Sequence, residues 1–221
     1  MAVERRGVGQ FDTIFFDVDG TLVDATSDIA SAMNHALRVL ALPELPKEKI
    51  VSYIGFGVTD LIRRSLGTDD EAIIEKGTKL YSDHYIAHAA DETVLYPHAM
   101  DILEYLRDKR KFILTNRYVS FADVALRGLG IRDYFEDIIG GDDENCLKPE
   151  ACIVDKAVNR LGIDKRKALI VGDMDVDVMT GKNAGIPVCW VTYGLGKSED
   201  VMGLSPEYTI DDLIELKKII K

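Results

Sequence analysis

Asp17 and Asp19 stand one residue apart in Phe15-Phe16-Asp17-Val18-Asp19-Gly20-Thr21-Leu22-Val23-Asp24, where a run of large apolar residues that begins at Phe11 ends abruptly in acids. The pattern reads as a buried strand delivering carboxylates to a tight turn. Two carboxylates this close repel by up to about 4 kcal/mol, taking roughly 4 Å and an effective dielectric near 20, so they persist best beside a cation or a shared proton. Taken alone, the stretch serves equally well as a strand ending in a solvated Asp-Gly turn.

Other residues of the same chemical character follow. Thr115-Asn116, Lys148-Pro149, Asp173 and Asp177 supply a hydroxyl, amide groups, one ammonium and two more acids. Oxygen donors of this kind suit a hard cation, and Mg²⁺ is the usual choice when a few carboxylates leave positions for water and phosphate. Thr115, a backbone N–H and Lys148 would hold other phosphate oxygens, and a carboxylate would serve as nucleophile, the requirements of phosphoryl transfer. Each group in isolation also has a plain structural reading, as a strand-to-turn junction, a loop before a helix or an acidic helix N-terminus.

Bringing these groups together requires a particular order of elements. Residues 27–41 place Ile29, Met33, Ala36, Leu37 and Leu40 at helical spacing, with Ser27 as the expected N-cap and Pro43 as the stop. Helices are expected over 47–54 and 58–66, separated by Gly55-Phe56-Gly57, and over 69–89 with Ile73, Ile74, Leu80, Tyr81 and Tyr85 on one face. No strand signal interrupts this stretch, and about 70 helical residues between β-forming segments imply a helical insertion beside the main domain. From Tyr96-Pro97 the chain alternates: helix 97–110, strand 111–115, helix 119–128, strand 137–140, helix 149–161, strand 167–171, helix 176–184 and strand 187–192. A short strand near 208–210 and a final helix from Asp211 complete it. Such alternation predicts a parallel α/β sheet, whose ligands bind beyond the carboxyl ends of the strands. Three of the expected strands then deliver Asp17 and Asp19, Thr115-Asn116, and Gly172-Asp173 to one rim.

Composition narrows the partners. The 221-residue chain is 29% charged and 47% hydrophobic, the profile of a soluble globular protein. Its formal net charge of -11 disfavours nucleic acid and anionic membrane surfaces, and it means that an anionic substrate must be drawn in by local donors or a metal. Cys146, Cys152 and Cys189 are odd in number and lack metal-ligand spacing, so reduced thiols and a cytoplasmic setting are expected. The first ten residues carry no apolar core of a leader, and no stretch approaches a membrane span. His84, His88 and Glu92 repeat at i, i+4 and read as a solvated helix face rather than a metal site.

Taken in order, Asp-Val-Asp-Gly-Thr-Leu-Val-Asp, Leu-Thr-Asn, Leu-Lys-Pro and Val-Gly-Asp-Met-Asp-Val-Asp resemble the four motifs of the haloacid dehalogenase superfamily, and most closely its phosphoglycolate-phosphatase-like members. The resemblance runs from about Phe11 to the last strand. It implies a Rossmann-like core formed by 1–24 and 95–221, with a helical cap over 25–94. By position it implies that Asp17 attacks phosphorus, that Asp19 protonates the leaving group and later activates water, and that Lys148 stabilises nucleophile and phosphate. Thr115 and the Asn116 backbone would bind phosphate oxygens, with Gly20 and Thr21 in the same substrate-binding turn. Mg²⁺ would be held by Asp17, the Asp19 main-chain carbonyl and Asp173, with Asp177 ordering its surroundings.

Three positions depart from the common pattern: Arg117 where Lys often follows Thr-Asn, Met174 where Ser often follows Gly-Asp, and His98 where Gly often follows Tyr-Pro. They bear on the substrate and not on the reaction. The expected protein is a Mg²⁺-dependent phosphatase of a small phosphorylated metabolite, phosphoglycolate first, acting as a monomer or homodimer. A sugar phosphomutase of the β-phosphoglucomutase type and a non-catalytic phosphometabolite binder are the alternatives. A receiver domain lacks the cap, and a dehalogenase has no need of Asp19. The Gly55-Phe56-Gly57 turn is either lowered onto substrate or a plain interhelical turn, and Arg63 and Arg64 either contact an anion or face solvent.

Overall fold

The computed structural model describes residues 10–221; the expectation of no apolar leader falls on residues that, apart from Gln10, lie outside them. Strand β1 (Thr13–Phe16) is buried on both faces: Ile14 and Phe16 enter one hydrophobic cluster, Phe15 the other. A strand covered on both sides must be apolar throughout, which is why this segment shows a run and not an alternation. It lies at the centre of a six-stranded sheet of order β5-β4-β1-β6-β7-β8, with β4 Arg110–Leu114, β5 Asp137–Ile139, β6 Ala168–Gly172, β7 Val188–Val191 and β8 Tyr208–Ile210. Every pairing is parallel. Helices α5 (Ala99–Tyr105), α6 (Val119–Gly128), α7 (Cys152–Leu161), α8 (Asp175–Ala184) and α9 (Ser198–Met202) alternate with the strands. The chain order runs outward on both sides of β1, so the topological switch, and the crevice it creates, lies at the end of β1.

The chain leaves the sheet through β2 (Val23–Asp24), runs through α1 (Thr26–Val39), α2 (Lys47–Val51), α3 (Val58–Leu66) and α4 (Glu71–His88), and returns through β3 (Val94–Leu95). The two crossings pair antiparallel, Val23 with Leu95 and Asp24 with Val94. Two-residue strands are too short to carry a period, so neither appears in the sequence pattern. Asp28 reinforces the junction: its carboxylate accepts hydrogen bonds from the Glu92 and Thr93 N–H groups at 3.1 and 2.9 Å and from Thr93 Oγ1 at 2.6 Å.

Several expected boundaries move. The first helix begins at Thr26, with Ala25 and not Ser27 at its N-cap; Asp24 just before it accepts from the Thr26 N–H at 3.0 Å and its hydroxyl at 2.6 Å. Ser27 instead accepts from Lys47 Nζ at 2.7 Å. The helix expected from Pro97 starts at Ala99, since His98 adopts φ 59°, a left-handed conformation no helix interior accommodates. This is the position where relatives of the motif often carry Gly, and here a 2.8 Å contact between His98 Nδ1 and Asp212 accompanies that backbone. In α4, Ile74, Tyr81 and Tyr85 are buried while Ile73 faces solvent. The terminal helix is a 3₁₀ turn over Leu213–Lys218.

Candidate active site

Asp17, Thr115 and Asp173 directly follow β1, β4 and β6, at the carboxyl edge of three adjacent strands. The ladder continues into the site, with the Asp17 N–H donating to Val171 O at 2.9 Å and the Thr115 N–H to Ile139 O at 3.0 Å. Backbone pairing thus fixes the roots of these side chains before any side-chain contact is made.

Asp17, Asp173 and Asp177 converge, with a carboxylate oxygen of each within 4.8 Å of the others. Lys148 Nζ lies 2.9 Å from Asp17 Oδ1 and 2.7 Å from Asp177 Oδ1. All four residues are buried. Burial pushes the Asp17 and Asp173 pKa values up; Lys148 pulls against the rise at Asp17, while Asp177 and Asp17 add to it at Asp173. Burial also opposes the Lys148 ammonium, but Asp17 and Asp177 overcome it and hold the group above its ordinary pKa. One ammonium against three buried carboxylates leaves negative charge uncompensated. A hard divalent cation fits that donor set, and Asp17, Asp173 and Asp177 are the residues placed to hold it.

The acids are positioned from behind. Asp173 accepts from Leu195 N–H at 2.6 Å, Gly196 N–H at 3.2 Å and Thr21 Oγ1 at 3.2 Å, and its carbonyl accepts from Trp190 Nε1 at 2.7 Å. Gly20 has φ 82°, and a Cβ there would overlap the Asp173 carboxylate, so the turn after Asp19 admits no side chain. Tyr193 donates to Thr21 O at 2.7 Å and ties the loop after β7 to the same turn. Gly20 and Thr21 therefore back the Asp173 carboxylate. Asp177 also accepts from the Met174 N–H at 3.0 Å, closing the first turn of α8.

The Asp19 carboxylate stands apart from the acidic cluster. It pairs with the guanidinium of Arg117, whose other terminal nitrogen donates to Tyr85 Oη on α4. Burial raises the Asp19 pKa and Arg117 opposes the rise. Arg117 is itself buried, with its guanidinium 5.1 Å from the Tyr85 ring centre. The Asn116 side chain ties three segments together: Nδ2 donates to Gly55 O at 2.8 Å and Lys148 O at 2.9 Å, and Oδ1 accepts from the Lys148 N–H at 2.7 Å.

A cleft of about 50 Å³ joins these groups. Asp17, Asp19, Thr115, Asn116, Arg117 and Lys148 line its base, and Gly55, Gly57, Ile54, Val58 and Leu61 line the opposite wall. The Gly55-Phe56-Gly57 turn thus faces the site, while the Phe56 ring packs against Arg64, 5.2 Å away. Arg63 pairs with Asp69 and Glu71, Arg64 with Asp60, and neither lines the cleft. His84 does not face solvent alone; its ring lies between those of His35 and His88, tilted against each, with ring centres 4.4 and 4.5 Å away. The expected reduced thiols are corrected at two positions: Cys146 and Cys152 form a disulfide across the Lys148 loop, and Cys189 alone remains free and buried. Their spacing of six residues matches no metal motif, and only the fold of the intervening loop brings the sulfurs together.

The sequence reading missed the Arg117–Asp19 pair and the Tyr193–Gly196 loop. Arg117 registered only as a departure from a motif. The signal for the loop was Gly194-Leu195-Gly196 immediately after an expected strand, since a Cβ at either glycine would collide with Asp173.

Known proteins resemble this chain over most of its length. A family model described as haloacid dehalogenase-like hydrolase matches residues 14–191. A phosphoglycolate phosphatase of Chromobacterium violaceum is 33% identical, covering 94% of this chain and 96% of that protein. One from Vibrio parahaemolyticus is 31% identical, covering 94% and 95%. A crystal structure described as a predicted phosphoglycolate phosphatase from Haemophilus somnus superposes with a TM-score of 0.88 at 26% identity, covering 96% of this chain and 99% of that one. No helix among the described residues is long and apolar enough to cross a membrane.

Proposed function

The chain belongs to the haloacid dehalogenase-like hydrolase family, and from that membership and the site we propose that it is a Mg²⁺-dependent phosphatase of a small phosphorylated metabolite, with phosphoglycolate the leading candidate. The observation that carries this reading is the buried Asp17–Lys148–Asp177 chain beside Asp173, at the ends of adjacent parallel strands. Mg²⁺ held by Asp17, Asp173 and Asp177 would supply charge neutralisation for an incoming phosphoryl group.

The protein's own residues divide the remaining work. Asp17, held by Lys148, attacks phosphorus in line with the departing alkoxide to give an aspartyl-phosphate. Lys148 stays beside the nucleophile and the phosphoryl oxygens, and Thr115 with the Asn116 backbone donates to other oxygens. Asp19 gives its proton to the leaving alkoxide, then takes one from the water that hydrolyses the intermediate. Helices α1–α4 act as a cap over residues 25–94, hinged at the β2–β3 ribbon and closing the apolar wall over the cleft to exclude bulk water. Among the described residues the core comprises 10–24 and 95–221. A cytoplasmic setting suits a small-metabolite substrate.

The test is a screen of the purified protein against phosphomonoesters, sugar phosphates and pyrophosphate with and without Mg²⁺, beside Asp17→Asn. Mg²⁺-dependent phosphate release that Asp17→Asn abolishes with unchanged circular dichroism is the expected result. Substantial turnover by the folded variant would overturn the nucleophile assignment.

A further inference from the structure

The cleft holds two cations of unequal freedom. Lys148 is spanned by Asp17 and Asp177 and belongs to the phosphoryl end. Arg117 lies on the leaving-group side, against Asp19, and its two terminal nitrogens donate to Asp19 and to Tyr85 Oη. A guanidinium carries five N–H donors in a planar fork, so this arrangement leaves donor capacity for a further anion.

The rest of the leaving-group wall offers no comparable partner. Ile54, Val58 and Leu61 from the helical segment, with Ile29 behind them, present hydrocarbon. A polyhydroxylated sugar would bury most of its hydroxyls against hydrocarbon, with the Tyr81 hydroxyl the one polar side-chain group that residues 25–94 bring to the cleft, an unfavourable exchange for water. A short hydrocarbon link is accommodated, provided that whatever charge it bears reaches Arg117. The group Arg117 already engages is a carboxylate, and a substrate carboxylate is its chemical equivalent. With a chain net charge of -11 and four acids around the cleft, an anionic leaving group would otherwise be repelled.

Resting on the phosphatase reading, we propose that Arg117 is the specificity-determining residue of this site and binds the carboxylate of the leaving group. The substrate class is then the phosphate monoesters of short hydroxycarboxylic acids. Tyr85, reaching from α4, acts as a positioning residue: it holds the guanidinium in place, so that the helical segment sets the orientation of a cation rooted in the core.

The experiment compares kcat/KM for 2-phosphoglycolate and for ethyl phosphate, its counterpart of equal length without the carboxylate, in wild type, Arg117→Gln and Arg117→Lys, all with Mg²⁺. Wild type is expected to favour 2-phosphoglycolate by about 10- to 100-fold, the worth of charge-assisted hydrogen bonds, and Arg117→Gln to collapse that ratio toward unity. Arg117→Lys, keeping the charge but not the fork, should retain part of it. Equal wild-type rates on both esters, or a ratio that survives in folded Arg117→Gln, would overturn the proposal while leaving the phosphatase reading intact. Should Arg117→Gln fail to fold, the wild-type ratio and its partial retention in Arg117→Lys decide the matter. Absence of Mg²⁺-dependent hydrolysis of every phosphomonoester would overturn the phosphatase reading itself, and this proposal with it.

Discussion

Lys148 Nζ lies 2.9 Å from Asp17 Oδ1 with both side chains almost wholly withdrawn from solvent. Among the described residues it is the one cationic side chain in an ion pair with Asp17, and it serves Asp177 as well. Removing it leaves the Asp17, Asp173 and Asp177 carboxylates facing one another in a buried site. Lys148→Met should lower kcat by about 100- to 1,000-fold, as loss of a preorganised electrostatic donor does. It should also lower stability by about 3 kcal/mol, the low end for breaking a buried ion pair. Urea unfolding with and without Mg²⁺ checks the second effect, and the deficit should shrink when the cation is present.

Asp28 is a structural counterpart at the junction between sheet and helices. It receives two backbone N–H groups and one hydroxyl from Glu92 and Thr93, locking the start of α1 to the segment that leads back into β3. Asp28→Ala leaves those donors without their acceptor and should cost about 2–3 kcal/mol. Asp28→Asn, which keeps one acceptor oxygen, should cost less. Thermal melts of both variants check the order, and equal stability of Asp28→Ala and wild type would remove the hinge role.

These two sites differ in how far the sequence reveals them. Asp17, Thr115, Lys148 and Asp173 were legible because each sits at a junction marked by local chemistry: an apolar run ending in an acid, or a polar pair before a helix. The central sheet was legible for the same reason, since buried parallel strands are unbroken apolar runs. The Asp28 anchor spans 64 or 65 residues and the Arg117–Asp19 pair 98, so neither leaves a periodic or local trace. His98 shows the opposite case: its departure from a motif was visible, but its left-handed backbone and its Asp212 contact emerge only once the chain is folded. The Cys146–Cys152 disulfide likewise depends on the loop that carries Lys148, which no spacing rule describes.

Cation binding should register in stability as well as in turnover. Chelation with EDTA should abolish phosphate release, and Mg²⁺ but not Na⁺ at equal ionic strength should restore it. Because a cation that binds only the folded state stabilises it, Mg²⁺ at 100 times its Kd should add about 2.7 kcal/mol. Asp173→Asn removes one of the converging carboxylates, and the Mg²⁺-dependent rise in melting temperature should fall sharply. A rise of undiminished size in that variant would exclude Asp173 as a ligand.

Asp19 and Asp17 are one residue apart yet face different partners, so their amide substitutions should fail differently. Asp17→Asn removes the nucleophile and should form no phosphoenzyme. Asp19→Asn keeps the nucleophile and the Lys148 contact but leaves Arg117 without its anionic partner and the leaving group without its proton donor. Its binding site should remain able to take substrate, because Thr115, Asn116 and Lys148 are untouched. With an ester whose leaving group needs no proton, such as 4-nitrophenyl phosphate, the first step should persist and the second stall for want of a base. Rapid mixing should then show a burst of nitrophenol of at most one equivalent followed by a slow steady rate. Steady-state turnover near that of wild type, with no burst, would remove Asp19 from the proton-transfer role.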